Sequence, residues 1–307
     1  MADADVRLER ELFYRSFFGS SAGQSPSMLD RLNYVLDERD VKAGDVLFRE
    51  GDVADRLFFV SSGGVRMSRE GSRPYRYSGR WIVGGIDILD RRPRRRTATM
   101  LADARILSAR SSDWFDTIEE TMEVPRDLIT MQLAGSARHV ARLAPDPFEP
   151  TGPSVPPPEQ RLTLFARLVT FFDGSVMGKA GVQTLSSLAD VSDEVRLEPG
   201  EILIDAEAPR QHVYVVAHGT IETTHLDPVM QGTFGRTSFV GGVCATSTGW
   251  SAKAIEPSVV LALPVEEWLD AMSNFELFRC TMAWAGRERE RVTEALAERA
   301  TSELVVE

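Results

Sequence analysis

The sequence predicts a mainly β chain of two tandem β-rolls of the jelly-roll kind, each flanked by helices. Three observations lead there. Short β-branched and aromatic runs alternate with Gly- or Asp-containing turns roughly every eight to twelve residues, the turn framework occurs twice, and a proline-rich stretch separates the copies.

The duplication is read from glycines and strand-like runs together. Val41–Phe48 (VKAGDVLF) lies over Leu197–Ile204 (LEPGEILI), and Leu57–Val65 (LFFVSSGGV) lies over Val213–Ile221 (VYVVAHGTI) at the same offset. With small shifts, Val83–Ile86 lies over Val240–Val243 and Trp114 over Trp268, which implies loops of different length. Agreement of this kind over such a span signals an internal repeat. Between the copies, residues 144–158 hold seven prolines in fifteen positions. Proline fixes φ and removes backbone donors, so this stretch is an extended connector. The domains are therefore 1–143, a linker at 144–158, and 159–307.

Helical periodicity flanks each roll. It covers 5–17 and 27–36 before the first, 159–173 and 182–191 before the second, and 112–143 and 265–303 after them, with Pro125 suited to a first helical turn. In the last helix Phe278, Met282, Ala285, Val292 and Leu296 form a stripe that Arg289 interrupts. Packing on the second roll and homodimerisation both fit that stripe.

Composition bounds the function. A chain with 43% hydrophobic and 26% charged residues is a soluble globular protein. No apolar run approaches the roughly 20 residues of a membrane span, and the acidic start carries no secretory pattern. Cys244 and Cys280 fall in different elements and read as reduced thiols, which places the protein in the cytoplasm. The first 145 residues hold 23 Lys+Arg against 22 Asp+Glu, and the rest hold 12 against 24, so the acidic excess lies in the second half. An acidic half disfavours nucleic-acid binding. Arginine greatly outnumbers lysine, a bias of GC-rich bacterial genomes.

Ala43-Gly-Asp-Val-Leu-Phe-Arg-Glu-Gly-Asp52, followed by Asp55–Val60 and Gly63, resembles the opening of cyclic-nucleotide-binding domains. These occur in catabolite-activator-type regulators and in protein kinase A regulatory subunits. The resemblance covers most of 5–143 and, more faintly, 159–303. It implies a phosphate-binding cassette: a glycine opening a short helix, an acid on the ribose hydroxyl, and an arginine on the cyclic phosphate. In copy 1 it assigns Gly84, Gly85, Asp87, Arg95, Arg96 and Thr97 to the ligand, with Arg96 before Thr97-Ala98 as the phosphate arginine. The acid position holds Ile86 if Gly85 opens the helix, and Asp87 fills it only if the register slips by one. In copy 2 the equivalent positions are Gly241, Gly242, Val243, Trp250 and Ser251, with Val243 for the acid and Trp250 for the arginine. Copy 2 is thus expected to be a structural relic or an interaction domain. The ligands implied for copy 1 are cAMP, cGMP or cyclic di-GMP.

Outside the cassette, Arg91, Arg92 and Arg94 join Arg95 and Arg96 in a dense cationic loop. Such a cluster repels itself unless an anion neutralises it. It reads either as solvated charge or as a site for a larger anion: a cyclic dinucleotide, an acidic protein segment or a membrane surface. His212, His218 and His225 lack the close pairing of a cupin-type metal site and read as ordinary strand and turn residues. No catalytic motif is visible, so no enzyme is expected, and no helix-turn-helix follows either copy. Two functions remain open. One is a ligand sensor that signals to a protein partner. The other is a nucleotide-independent adaptor that uses both rolls and the arginine loop as binding surfaces.

Overall fold

A computed structural model describes residues 33–120, 156–174, 177, 178, 180–206, 208, 211–225, 231–240 and 250–306. The chain divides into two compact units, one made of Met1–Met131 with Gly286–Glu307 and the other of Gln132–Ala285.

The first unit holds β1 (Asp37–Val41), β2 (Val46–Phe48), β3 (Arg56–Val60), β4 (Val65–Arg69), β5 (Ser72–Tyr77), β6 (Trp81–Val83), α1 (Gly85–Leu89), β7 (Thr97–Met100), β8 (Ala104–Arg110) and α2 (Ser111–Glu120). One sheet runs β1-β8-β3-β6, and β2-β7-β4-β5 form the other, all these pairings being antiparallel. Alternation sorts the side chains: Val65 and Met67 of β4 point into the core while Arg66 between them is exposed. Phe58, Val60, Val65, Met100 and Ile106 make up the centre of that core. The turn glycines of the repeat carry positive φ, at +89° for Gly44, +87° for Gly51 and +84° for Gly63. At Gly63 a Cβ would also stand 2.9 Å from that of Ala104, so the turn admits nothing larger.

The second unit repeats the plan. It has α3 (Leu164–Phe172), α4 (Val182–Val191), β9 (Asp193–Leu197), β10 (Ile202–Ile204), β11 (His212–His218), β12 (Ile221–His225), β13 (Gln231–Phe234), β14 (Phe239–Val240), β15 (Trp250–Ala254), β16 (Ser258–Pro264) and α5 (Val265–Ala271). Its sheets are β10-β15-β12-β13 and β14-β11-β16-β9. Trp114 and Trp268, aligned in sequence, occupy the same place in α2 and α5 and are both buried. The fold is therefore two tandem β-rolls with flanking helices.

The helices differ from the periodicity in instructive ways. The helix expected at 159–173 starts at Leu164, where the Thr163 hydroxyl accepts from the Ala166 amide at 3.2 Å. The one expected at 182–191 has those bounds. Those expected at 27–36 and 112–143 are described only at 33–35 and 111–120, and 5–17 lies outside the described residues.

The continuous helix expected over 265–303 is corrected. It breaks after α5, and α6 (Phe275–Arg299) begins anew because Asn274 Oδ1 caps the Leu277 amide at 3.0 Å. The chain then forms β17 (Leu304–Val306), which adds in parallel to the edge of β5. The compact units part within α6, and Gly286–Glu307 groups with Met1–Met131. β-branched Val305 and Val306 at an open strand edge explain why the last residues pair there.

Candidate functional site

In the first unit Gly84–Thr97, the stretch expected to hold the cassette, runs from the end of β6 through α1 to the start of β7. Gly84 takes φ +86° as the residue before α1, a conformation that suits glycine. A Cβ there would also come 2.7 Å from Arg94 Nη1. The helix closes on Arg91, which adopts φ 52°. The Arg91 amide donates to Ile88 O and the Arg92 amide to Asp87 O, both at 3.0 Å, the pairing of a Schellman cap. The cap turns the Arg92 side chain back over α1.

The five arginines separate by role. Arg94 is 3% exposed and donates to the carbonyls of Gly84 and Arg56, with its guanidinium 4.2 Å from the Phe48 ring centroid. The partner-binding surface expected of Arg91, Arg92 and Arg94 is corrected for Arg94, which is a buried brace. Arg91 is exposed. Arg92 pairs with Asp87 and with Asp90, each at 2.9 Å. Asp87, a candidate for the ribose hydroxyl, accepts from Arg92 Nε and at 3.5 Å from the Arg95 amide. Ile86, beside Asp87 in α1, meets Gly286, where an added Cβ would fall 2.7 Å from Ile86 Cγ1.

Arg96 is the centre of the site. It is 2% exposed and stands 4.8 Å over the Tyr75 ring, which is followed by an edge contact to Tyr77 and a stack of Tyr77 on Trp81. Its anionic partners come from α6. Arg96 Nη2 donates to Glu294 Oε1 at 2.5 Å, and its Nε lies 3.5 Å from Glu290 Oε1. Arg95 pairs with Glu290 at 3.2 Å and Glu294 at 3.6 Å, and Arg92 reaches Glu290 at 3.5 Å. Spaced four apart, Glu290 and Glu294 share one helix face. Arg96 Nε and Nη1 nevertheless have no hydrogen-bond partner among the described residues.

Burial shapes the electrostatics. It pushes the Glu290 carboxyl above the usual glutamate range, against the opposing pull of Arg95 and Arg92. Arg96 is raised despite its burial, because Tyr75, Glu294 and Glu290 all favour the cation. Further pairs hold the same segment: Arg287 with Asp90, Arg66 with Glu303 at 2.6 Å, and Arg289 over Trp81 at 5.2 Å. The Glu298 carboxylate accepts from the Arg73 amide at 2.9 Å.

Glu290, Glu294, Tyr75 and Trp81 were not among the expected site residues. The signal available was the pair of glutamates four apart in an acidic half of a chain whose other half carries the arginine cluster.

In the second unit, Gly241, Gly242 and Val243 lie outside the described residues. Trp250 opens β15 opposite His225, and Ser251 donates to Thr224 O at 3.4 Å. Lys253 pairs across the sheet with Glu222 at 3.0 Å. His212 and His218 stand at opposite ends of β11. Among the described residues no group of three His, Cys, Asp or Glu could hold a metal ion. Among them, too, no helix is long and apolar enough to cross a membrane. Cys280 is a buried free thiol.

The family model described as cyclic nucleotide-binding domain matches residues 38–121 and again 194–275, together more than half of the chain. The solved structures that this chain is similar to include three protein kinase A regulatory chains. The regulatory domain of Toxoplasma gondii protein kinase A with cAMP is 14% identical, covering 96% of this chain and 97% of that one at a TM-score of 0.32. The regulatory subunit of a cAMP-independent protein kinase A from Trypanosoma brucei is 16% identical, covering 78% of each chain at 0.33. Its Trypanosoma cruzi counterpart bound to guanosine is 13% identical, covering 97% and 94% at 0.33. No curated protein matches.

Proposed function

Because this chain belongs to the cyclic nucleotide-binding domain family through both of its rolls, we propose that it is a cytoplasmic, non-catalytic regulator whose first roll recognises a cyclic nucleotide or cyclic dinucleotide and relays that state to a protein partner. The observation that carries this reading is Arg96. A guanidinium 2% exposed, seated on an aromatic ring, keeps two nitrogens without hydrogen bonds even with carboxylates beside it. A buried cation with unmatched donors is costly. A cyclic phosphodiester presents two charged oxygens that such a guanidinium fork can take in bidentate fashion.

The residues proposed for the ligand are Gly84, Gly85, Arg95, Arg96 and Thr97. Asp87 is proposed to act through Arg92 and the Arg95 amide, to which it is bonded. Two anionic groups already fit this cradle, since Arg92, Arg95 and Arg96 share Glu290 and Glu294. Cyclic di-GMP, with two phosphates, is therefore a ligand to test beside cAMP and cGMP.

A second reading draws on the same carboxylates. If the arginines are built for acidic side chains, the protein is a nucleotide-independent adaptor and the cradle takes a protein segment. Calorimetric titration of the full chain with cAMP, cGMP and cyclic di-GMP separates the two. Heat that saturates with one of them, and vanishes in Arg96→Ala, supports the sensor. Absence of binding in the wild type and in a variant freed of Glu290 and Glu294 supports the adaptor.

A further inference from the structure

Residues Gly286–Val306 do three things in the first unit. Glu290 and Glu294 close the cradle of Arg92, Arg95 and Arg96. Ala297 and Val306 are buried in the same core cluster as Tyr75 and Tyr77, with Leu304 packed against it. β17 extends the β5 sheet, with Leu304 opposite Tyr75 and Val306 opposite Tyr77, and the Ser78 amide donates to Val306 O at 2.9 Å. The Gly286 contact fits the helix tightly against Ile86 of α1. A stretch of helix that carries Glu290 and Glu294, and the strand after it, are thus held by charge, by shape and by backbone pairing at one place.

We infer that Gly286–Val306 is a tethered stand-in for the ligand, with the Glu290 and Glu294 carboxylates in the place of phosphate, so that the anion site is closed in the resting chain and opens only when this segment leaves. The inference rests on the reading of the cassette as an anion site. It also adds to that reading by stating its regulation. The Glu290 and Glu294 carboxylates and an external anion would stand against the same three guanidinium groups, so seating one displaces the other. A tethered competitor acts at high effective concentration, which weakens the apparent affinity for any free ligand. Gly286 continues the helix that starts at Phe275, so release of the segment moves the C-terminal part of that helix.

The test uses the full chain and two readouts. Hydrogen exchange reports the segment through peptides spanning 300–306 and 75–78. Calorimetry reports binding of cAMP, cGMP and cyclic di-GMP. Glu290→Gln with Glu294→Gln removes the stand-in charges, and Gly286→Val, which leaves every charge in place, removes the close fit as an independent means of release. Expected are faster exchange in both peptides for both variants and a gain of at least about tenfold in affinity. Addition of nucleotide to the wild type is expected to speed exchange at 300–306. Exchange unchanged in both variants overturns the inference. So does nucleotide binding to wild type with 300–306 as protected as before, since the segment and ligand then coexist. If exchange accelerates in the variants while neither they nor the wild type bind any of the three nucleotides, the closing contact stands and the nucleotide reading falls.

Discussion

At the scale of single residues, neighbouring arginines of identical chemistry do different work, and burial decides which. Arg94 and Arg96 alternate with Arg95 along the chain, so both turn inward as β7 begins while Arg95 remains half-buried. Arg94 meets carbonyls and Phe48, a structural set of partners, whereas Arg96 meets carboxylates and Tyr75. Removing Arg94 leaves the Gly84 and Arg56 carbonyls without that donor and empties space against Phe48. Arg94→Ala is therefore expected to destabilise the first unit by on the order of 3 kcal/mol. Arg94→Lys is expected to recover little, since an ammonium cannot span both carbonyls in a planar fork. Urea denaturation followed by far-UV circular dichroism checks both. An Arg94→Ala midpoint equal to that of the wild type would show the brace to be dispensable.

At the scale of elements, the strands were legible and the docking of α6 was not. Strand positions follow from local chemistry: β-branched runs, alternation, and turn glycines that repeat on both sides of the linker. Element by element, β2 and β10 or β3 and β11 fall where the repeat aligns them. The partners of Arg96 lie 198 residues away at Glu294, a separation no periodicity reports. Arg289, which broke the apolar stripe, is placed over Trp81, so the interruption marked a change in what the helix packs on. Burial of the Glu290 carboxyl, apart from its ion pairs with the arginines, gives the fold a pH dependence. Glu290 faces Arg92, Arg95 and Arg96 from the cassette and Glu294 from its own helix, and burial raises its proton affinity. A carboxyl with a raised folded-state pKa binds more protons folded than unfolded. Its contribution therefore strengthens as pH falls from neutral towards the ordinary glutamate range, and is lost as pH rises through its folded-state value. Thermal melts of wild type and Glu290→Gln across mildly acidic to neutral pH read this directly. The difference in melting temperature between them should change with pH, the wild type gaining on the acidic side, and a pH-independent difference would remove Glu290 as the titrating group.

At the scale of the whole molecule, the two rolls are not simply consecutive along the chain. Residues 286–307 follow the second roll in sequence but belong to the first compact unit, so the first roll is complete only after the last residues are in place. A fragment ending at residue 143 then lacks Val306 from its core and leaves the outer edge of β5 without β17. Burial of one valine contributes roughly 1.5–3 kcal/mol, and an open strand edge invites association with other chains. Set against a stability of about 5–15 kcal/mol for a domain, those losses reduce but do not abolish folding. The expected outcome is a cooperative but lowered thermal transition for 1–143, together with concentration-dependent self-association. A synthetic peptide of residues 286–307 added in trans should raise that transition and restore the monomer, and the same peptide with Gln at 290 and 294 should do so less well. Sedimentation velocity and differential scanning calorimetry, run with each peptide, decide the matter. A fragment 1–143 that is monomeric, as stable as the first unit in the full chain, and indifferent to the peptide would mean that the first roll is complete without its C-terminal segment.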